Sequence, residues 1–256
     1  MQNLAATLVQ CELAWESPED NRQQFTELFT QIPDKTDLIV LPEMFTTGFS
    51  MNALANAEPP GGMTEAWMTE IARQYDCAVT GSIAVQTGQQ VFNRMLFATP
   101  EQTFHYDKRH LFRMAGEHKR YAMGDERVIV NWRDWRINLQ VCYDLRFPVF
   151  SRNRDNYDLL LYVANWPSAR AAHWRSLLIA RAIENQAVVM GVNRIGNDAR
   201  GLNYQGDSIA IDASGNIVGD MHDSPGVQQV VFDGHALLSY RESFPCHMDA
   251  DSFELL

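Results

Sequence analysis

Apolar residues recur along this chain at two spacings, and the switches between them mark its elements. Ile137, Leu139 and Val141 alternate with polar neighbours, the period of a half-buried strand. Pro148 then stops any further sheet pairing. Leu4 to Gln10 reads as a first strand. Asp37-Leu-Ile-Val-Leu-Pro42 and Asp158-Leu-Leu-Leu-Tyr-Val-Ala-Asn165 are short unbroken apolar runs, the mark of strands covered on both faces. Helical spacing begins after Ser17-Pro18-Glu19-Asp20, a capping hydroxyl, a first-turn proline and two acids at the positive dipole end. Phe25, Leu28, Phe29 and Ile32 follow, and Pro33 closes that helix. Trp67, Met68, Ile71 and Tyr75 mark a second helix over Thr64 to Tyr75. Trp174, Leu177, Leu178, Ala182 and Ile183 mark another over Ala171 to Gln186, and a short one is expected around Val149 to Arg154.

Cys77 to Val85, Val91 to Thr99 and Thr103 to Lys108 read as three strands with no helix between them, so the sheet is expected to be mixed. Arg127 to Trp132 and Trp135 to Val141 predict a hairpin. Ala187 to Asn193, Gln205 to Ile211, Asn216 to Gly219 and Gln228 to Phe232 complete the strands. Arg113 to Glu126 has no apolar period and reads as a loop of the length that carries function. No linker or repeat divides the chain. The expected fold is α+β, one domain over residues 1–256, with two mixed sheets packed face to face and helices on the outer faces. Residues 237–256 show no clear period and read as a tail that packs on a partner subunit.

With 46% hydrophobic and 21% charged residues, the 256-residue chain has an ordinary globular composition. Its formal charge of -11 argues against nucleic acid or an anionic membrane as partner, and an anionic substrate would need a local cation. Cys11, Cys77, Cys142 and Cys246 are widely spaced, which fits neither a zinc site nor a disulfide framework. The first residues carry no basic signal and no span, so a reduced cytoplasmic compartment is the expectation.

The motifs of serine hydrolases, P-loops and dinucleotide folds are missing. A phosphate-cradling thiol loop would need an arginine where Pro148 stands, and the histidines lack metal-ligand spacing, so no metal is expected. Cys142 ends a strand where open α/β sheets place their ligands. As a nucleophile it needs a base or a cation, and Glu43 and Lys108 would serve if the fold joins these strand ends. Read singly, each keeps a plain alternative: a structural thiol, a solvated lysine, a loop carboxylate.

Leu41-Pro42-Glu43, Tyr106-Asp-Lys108-Arg-His110-Leu-Phe112 and Val141-Cys142-Tyr-Asp-Leu-Arg146-Phe-Pro148 fall in that order, each at the end of an expected strand. Together they resemble the nitrilase, or carbon–nitrogen hydrolase, superfamily. The resemblance runs on through Ala180-Arg-Ala-Ile-Glu-Asn185, Gly206-Asp-Ser208 and Gly215. Asn165-Trp166-Pro167 and the short single domain look like the ω-amidases, which hydrolyse the terminal amide of short 2-oxo-dicarboxylic monoamides.

That resemblance implies a Glu43, Lys108, Cys142 triad, no cofactor, and a thioester mechanism. In it Glu43 is the base, and Lys108 with the backbone N–H of Tyr143 holds the oxyanion. Glu117 matches the family's second carboxylate, positioning Lys108 or the amide. Arg170 is the candidate for the substrate carboxylate, with Trp166 and Phe49 as pocket walls; His173 and Tyr204 could also reach the site. Arg146 is expected to pair with Asp144 and brace the cysteine turn. A homodimer is implied, with Phe147, Val149 and Phe150 at its interface or in the core. The other readings are a broader aliphatic amidase or carbamoyl hydrolase, and a catalytically silent binding member of the fold.

Overall fold

The computed structural model describes residues 1–33 and 35–254. β1 (Leu4–Gln10) leads into α1 (Pro18–Phe29), which starts at the expected signal. The Ser17 hydroxyl donates to Asp20, however, and caps no backbone N–H. β2 (Leu38–Val40) is followed by α2 (Ala53–Asn56), a single turn that the apolar pattern does not mark, and by α3 (Met63–Tyr75). β3 (Ala78–Thr87), β4 (Gln90–Ala98) and β5 (Thr103–Asp107) run consecutively. The expected loop at 113–126 contains two short 3-10 turns, Arg113–Ala115 and Glu117–Lys119. β6 (Ile129–Trp132) and β7 (Trp135–Val141) form the hairpin, turning on Arg133 and Asp134 at φ of 49° and 64°. α4 (Pro148–Ser151), β8 (Leu159–Ala164), α5 (Ala171–Asn185) and β9 (Val188–Asn193) follow.

The single strand expected over Gln205 to Ile211 is broken in two. Gly206 and Asp207 take φ of 82° and 58°, which an extended strand does not accommodate. β10 (Ile195–Asn197) and β11 (Asn203–Gln205) therefore form a separate hairpin, and β12 (Ile209–Ile211) starts afresh. β13 (Ile217–Asp220) and β14 (Gly226–Phe232) complete the strands.

Among the described residues two six-stranded sheets result, in the orders β14-β1-β2-β3-β4-β5 and β13-β12-β9-β8-β7-β6. Each is mixed: β1, β2 and β3 are parallel, as are β7, β8 and β9, and the outer pairings are antiparallel. Their inner faces share one core. Leu4, Ala6 and Leu8, alternate residues of β1, belong to the same buried cluster as Ile137, Leu139 and Val141 of β7. Truncating Leu139, which is fully buried there, would cost about 2–5 kcal/mol. α1 and α3 cover the outer face of the first sheet through Phe25, Phe29, Met68 and Ile71. α5 covers the second through Trp174, Leu178 and Ala182. This is the α-β-β-α sandwich expected, in one domain.

The chain after residue 233 is less of a tail than its pattern suggests. α6 (Gly234–Ser243) is capped by Asp233, whose carboxylate accepts from the Ala236 N–H. Leu237 is buried in the inter-sheet core, and Arg241 donates to Asp158 at 2.8 Å. Few apolar residues point inward, which is why no period shows. The last two residues of the expected tail lie outside the described ones. Of the three interface candidates, Phe150 belongs to the core, Phe147 is half-buried and Val149 is exposed. No helix among the described residues is long and apolar enough to cross a membrane.

Candidate active site

Glu43 lies just past the carboxyl end of β2, Lys108 just past β5, and Cys142 just past β7. These strand ends meet at one edge of the sandwich, where open sheets leave a crevice. Cys142 sits at φ 46°, a left-handed conformation that a non-glycine residue holds only when its surroundings impose it. Asp144 does so here. Its fully buried carboxylate accepts from the Val141 N–H (2.9 Å), the Tyr106 hydroxyl (2.8 Å), the His110 N–H (3.0 Å) and the His110 ring Nδ1 (2.7 Å). One side chain thus ties the cysteine turn to the segment that carries Lys108. That segment is clasped from the other side by Gly124, whose N–H donates to the Lys108 carbonyl at 3.0 Å. A Cβ there would lie 2.2 Å from the Asp107 carbonyl oxygen, so only glycine fits.

Lys108, Glu43 and Glu117 are all fully buried. The Lys108 ammonium donates to Glu43 Oε1 at 2.8 Å and to both oxygens of Glu117 at 3.1 Å. Glu43 also accepts from the Asn93 side chain and, through Oε2, from the Asn165 N–H, each at 2.8 Å, while the Cys142 sulfur lies 3.9 Å from the Asn165 carbonyl. Burial alone would pull the Lys108 ammonium down, but Glu117, Glu43 and Cys142 outweigh it and hold the ammonium charged well above the usual lysine range. Burial, and then the Glu43 charge, push the Cys142 thiol far above its ordinary value despite Lys108. The sulfur is therefore a neutral thiol that reacts only if a base takes its proton. Glu117 is raised by burial, which Lys108 opposes and Glu43 reinforces.

The half-buried Cys142 opens onto a cavity of about 340 Å³. Phe49, Tyr143, Trp166, Arg170 and Tyr204 line it, and His173 does not. The Phe49 ring lies 5.2 Å from the Lys108 ammonium, and the Arg170 guanidinium 5.6 Å from the Phe112 ring. Tyr143 is the second residue of the 3-10 turn Cys142–Arg146, so its N–H is one of those such a turn leaves without an internal acceptor.

Arg146 is a correction. It does not pair with Asp144, whose oxygens are taken by Tyr106, His110 and Val141. Its guanidinium lies 4.6 Å over the Trp166 ring and donates to His173 Nδ1 at 3.2 Å, and it lines the cavity. Arg200, at the tip of the β10–β11 hairpin, also lines it, donating to the Phe49 carbonyl at 2.8 Å. Three guanidiniums thus surround one cavity in a chain of charge -11.

The profile of the carbon–nitrogen hydrolase family matches residues 5–241. The chain belongs to the carbon–nitrogen hydrolase family. An omega-amidase, YafV, from Yersinia enterocolitica is 50% identical, with 100% of both chains covered. A 2-oxoglutaramate amidase from Bacillus subtilis is 32% identical over 94% of this chain and 95% of its own. A CN-hydrolase superfamily protein from Xanthomonas campestris, solved with an arsenic adduct in its active site, superposes with a TM-score of 0.98 at 46% identity, covering 100% of both. As a carbon–nitrogen hydrolase the protein is an enzyme of the amide-hydrolysing kind.

Two residues of this hydrolase's site, Asn93 and Arg200, are not legible as site residues in the sequence, and Tyr106, His110 and Asp144 are legible as members of its motifs but not as the network they form. Asn93 leaves a faint signal, a lone amide at an inward position of a largely apolar strand. Arg200 leaves none, since nothing local tells a loop arginine's direction. Among the described residues Asp207, Asp220 and His222 are close enough to hold a metal ion. Arg175 already lies 3.1 Å from Asp207 and 2.6 Å from Asp220, supplying the positive charge there.

Proposed function

We propose that this hydrolase cleaves the terminal amide of short 2-oxo-dicarboxylic monoamides, such as 2-oxoglutaramate, through a thioester on Cys142. The observation that carries the reading is the buried contact of Lys108 with both Glu43 and Glu117, beside the cavity onto which the Cys142 thiol opens. Glu43 takes the thiol proton as the sulfur attacks the amide carbonyl. The oxyanion forms between the Lys108 ammonium and the Tyr143 N–H, where a fixed cation in a dry site has most leverage. The intermediate collapses as the C–N bond breaks, and Glu43 returns the proton to the leaving ammonia. A water then gives its proton to Glu43, adds to the thioester, and releases the acid with the thiol restored. Glu117 orients Lys108 throughout.

Arg170 grips the substrate carboxylate in the bidentate manner of guanidinium groups. Trp166 and Phe49 wall the acyl chain. The names of the relatives, an omega-amidase at 50% identity and a 2-oxoglutaramate amidase at 32%, support this substrate class. The whole chain of 256 residues is one catalytic domain, acting in the cytoplasm as a homodimer through the face that presents Val149 and the segment after α6. No nucleic acid or membrane is a partner.

Ammonia release from 2-oxoglutaramate, glutamine, a simple aliphatic amide and a nitrile tests the substrate, and intact mass tests the mechanism. A trapped acyl adduct in the wild type, missing in Cys142→Ala, is expected. Wild-type turnover by Cys142→Ala would sink the mechanism, and a preference for the simple amide would favour the broader aliphatic amidase.

A further inference from the structure

The two carboxylates around Lys108 share one more donor. Asn93 projects inward from β4 and is fully buried. Its amide nitrogen lies 2.8 Å from Glu43 Oε1 and 3.2 Å from Glu117 Oε1, and its backbone carbonyl accepts the Lys108 N–H at 2.9 Å. One residue therefore touches both carboxylates and the backbone of the lysine between them.

The charges there do not balance. Two carboxylates face one ammonium without solvent, so one negative charge must be met by dipoles or by a proton. The dipoles are the Asn165 N–H on Glu43, the Phe112 N–H on Glu117, and the Asn93 amide, which alone among them bridges both. The other titratable groups facing the pair are Cys142 and, on the far side, Tyr121, whose hydroxyl donates to the Ser50 carbonyl. Burial keeps both neutral, so neither offsets the charge. Arg94, next on β4, points to the other face and is paired with Asp107 at 2.7 Å. Like charges in a shared dry site favour proton uptake by one of them, and a donor to the charged form opposes it. The orientation of the amide follows: reversed, its oxygen would face two carboxylates. Its Oδ1 has no protein donor among the described residues, so the side chain is held by what its nitrogen does.

We propose that Asn93 is a positioning residue that holds Glu43 and Glu117 ionised by sharing its amide between them, so that Glu43 is free to take the thiol proton. The role given to Glu43 rests on the function proposed above. The test is the pH dependence of Cys142 alkylation by iodoacetamide, read by intact mass, beside that of ammonia release, in wild type, Asn93→Leu and Asn93→Asp. Without the amide the carboxylates hold protons more tightly, so the base is lost at a higher pH. In Asn93→Leu the acidic limb of both profiles is expected to move up by about one pH unit, a roughly tenfold loss on the acid side. The alkaline plateau should fall less. Asn93→Asp keeps the shape, adds a third carboxylate and should move the limb further, which decides the matter if the leucine variant does not fold. An unmoved limb, or an equal fall at every pH, overturns the proposal. Wild type that alkylates but releases no ammonia would instead overturn the amidase reading, while the alkylation limb still decides on Asn93.

Discussion

Replacing Lys108 by methionine keeps most of the side-chain volume and removes the ammonium. The two contacts, at 2.8 Å and 3.1 Å, are each worth about 5–6 kcal/mol of gross attraction at an effective dielectric of about 20. Most of that offsets the desolvation of three fully buried charges. What the variant leaves is two carboxylates with no counter-ion, a loss of about 3–5 kcal/mol from a total stability of about 5–15 kcal/mol. The protein can reduce that loss by binding a proton on the pair. The Glu117 carboxyl, raised already by burial, would then rise further above its unfolded value, so the native state binds more protons than the unfolded one. Stability therefore falls as pH rises, being fullest below the unfolded carboxylate range and lost as pH passes the folded value.

Urea unfolding followed by tryptophan fluorescence measures this. With an m-value of about 3 kcal/mol/M, the Lys108→Met midpoint should lie roughly 1–2 M below wild type at neutral pH. The gap should narrow towards about pH 5 and widen in the alkaline direction. Lys108→Met with Glu117→Gln removes the surplus carboxylate and should recover much of the loss. An unchanged midpoint at neutral pH, a gap that closes as pH rises, or no recovery in the double variant would refute the electrostatic account of this site.

Two further outcomes follow from the geometry. Asp144→Ala leaves the Val141 N–H, the Tyr106 hydroxyl and two His110 donors facing no acceptor, and should lower stability by at least about 3 kcal/mol and slow Cys142 alkylation; wild-type alkylation kinetics would show that the cysteine turn holds itself. Arg170→Ala should raise KM for 2-oxoglutaramate by about 10–100-fold and leave an uncharged amide almost unaffected; equal changes for both substrates would place the carboxylate elsewhere, with Arg146 and Arg200 the remaining guanidiniums of the cavity.

Residues of the site differ in how far their placement can be read locally. Glu43 and Cys142 follow strands whose apolar pattern is strong, and Lys108 follows a weaker alternation of Phe104 and Tyr106, so their positions at strand ends are legible. Asp144 and Arg146 stand two and four places beyond the nucleophile, and simple charge pairing joins them wrongly. A tight turn aims successive side chains in different directions: Asp144 turns back under Cys142, and Arg146 outward onto Trp166. Asn93 meets Glu43 across a long stretch of intervening chain, and no spacing rule reports such a contact. α6 is obscured because a helix that buries little beyond Leu237 leaves no stripe.

Local amino-acid order suffices for most of the strands outside the 195–211 region, the main outer helices, and the presence of three chemically able side chains at strand ends, because backbone period and turn chemistry act over a few residues. It took the assembled sandwich to put Lys108 between two carboxylates, to leave the thiol neutral beneath Glu43, and to bring three arginines around one cavity. Those facts depend on burial and on distances of a few ångströms between remote segments. Local pattern carries neither.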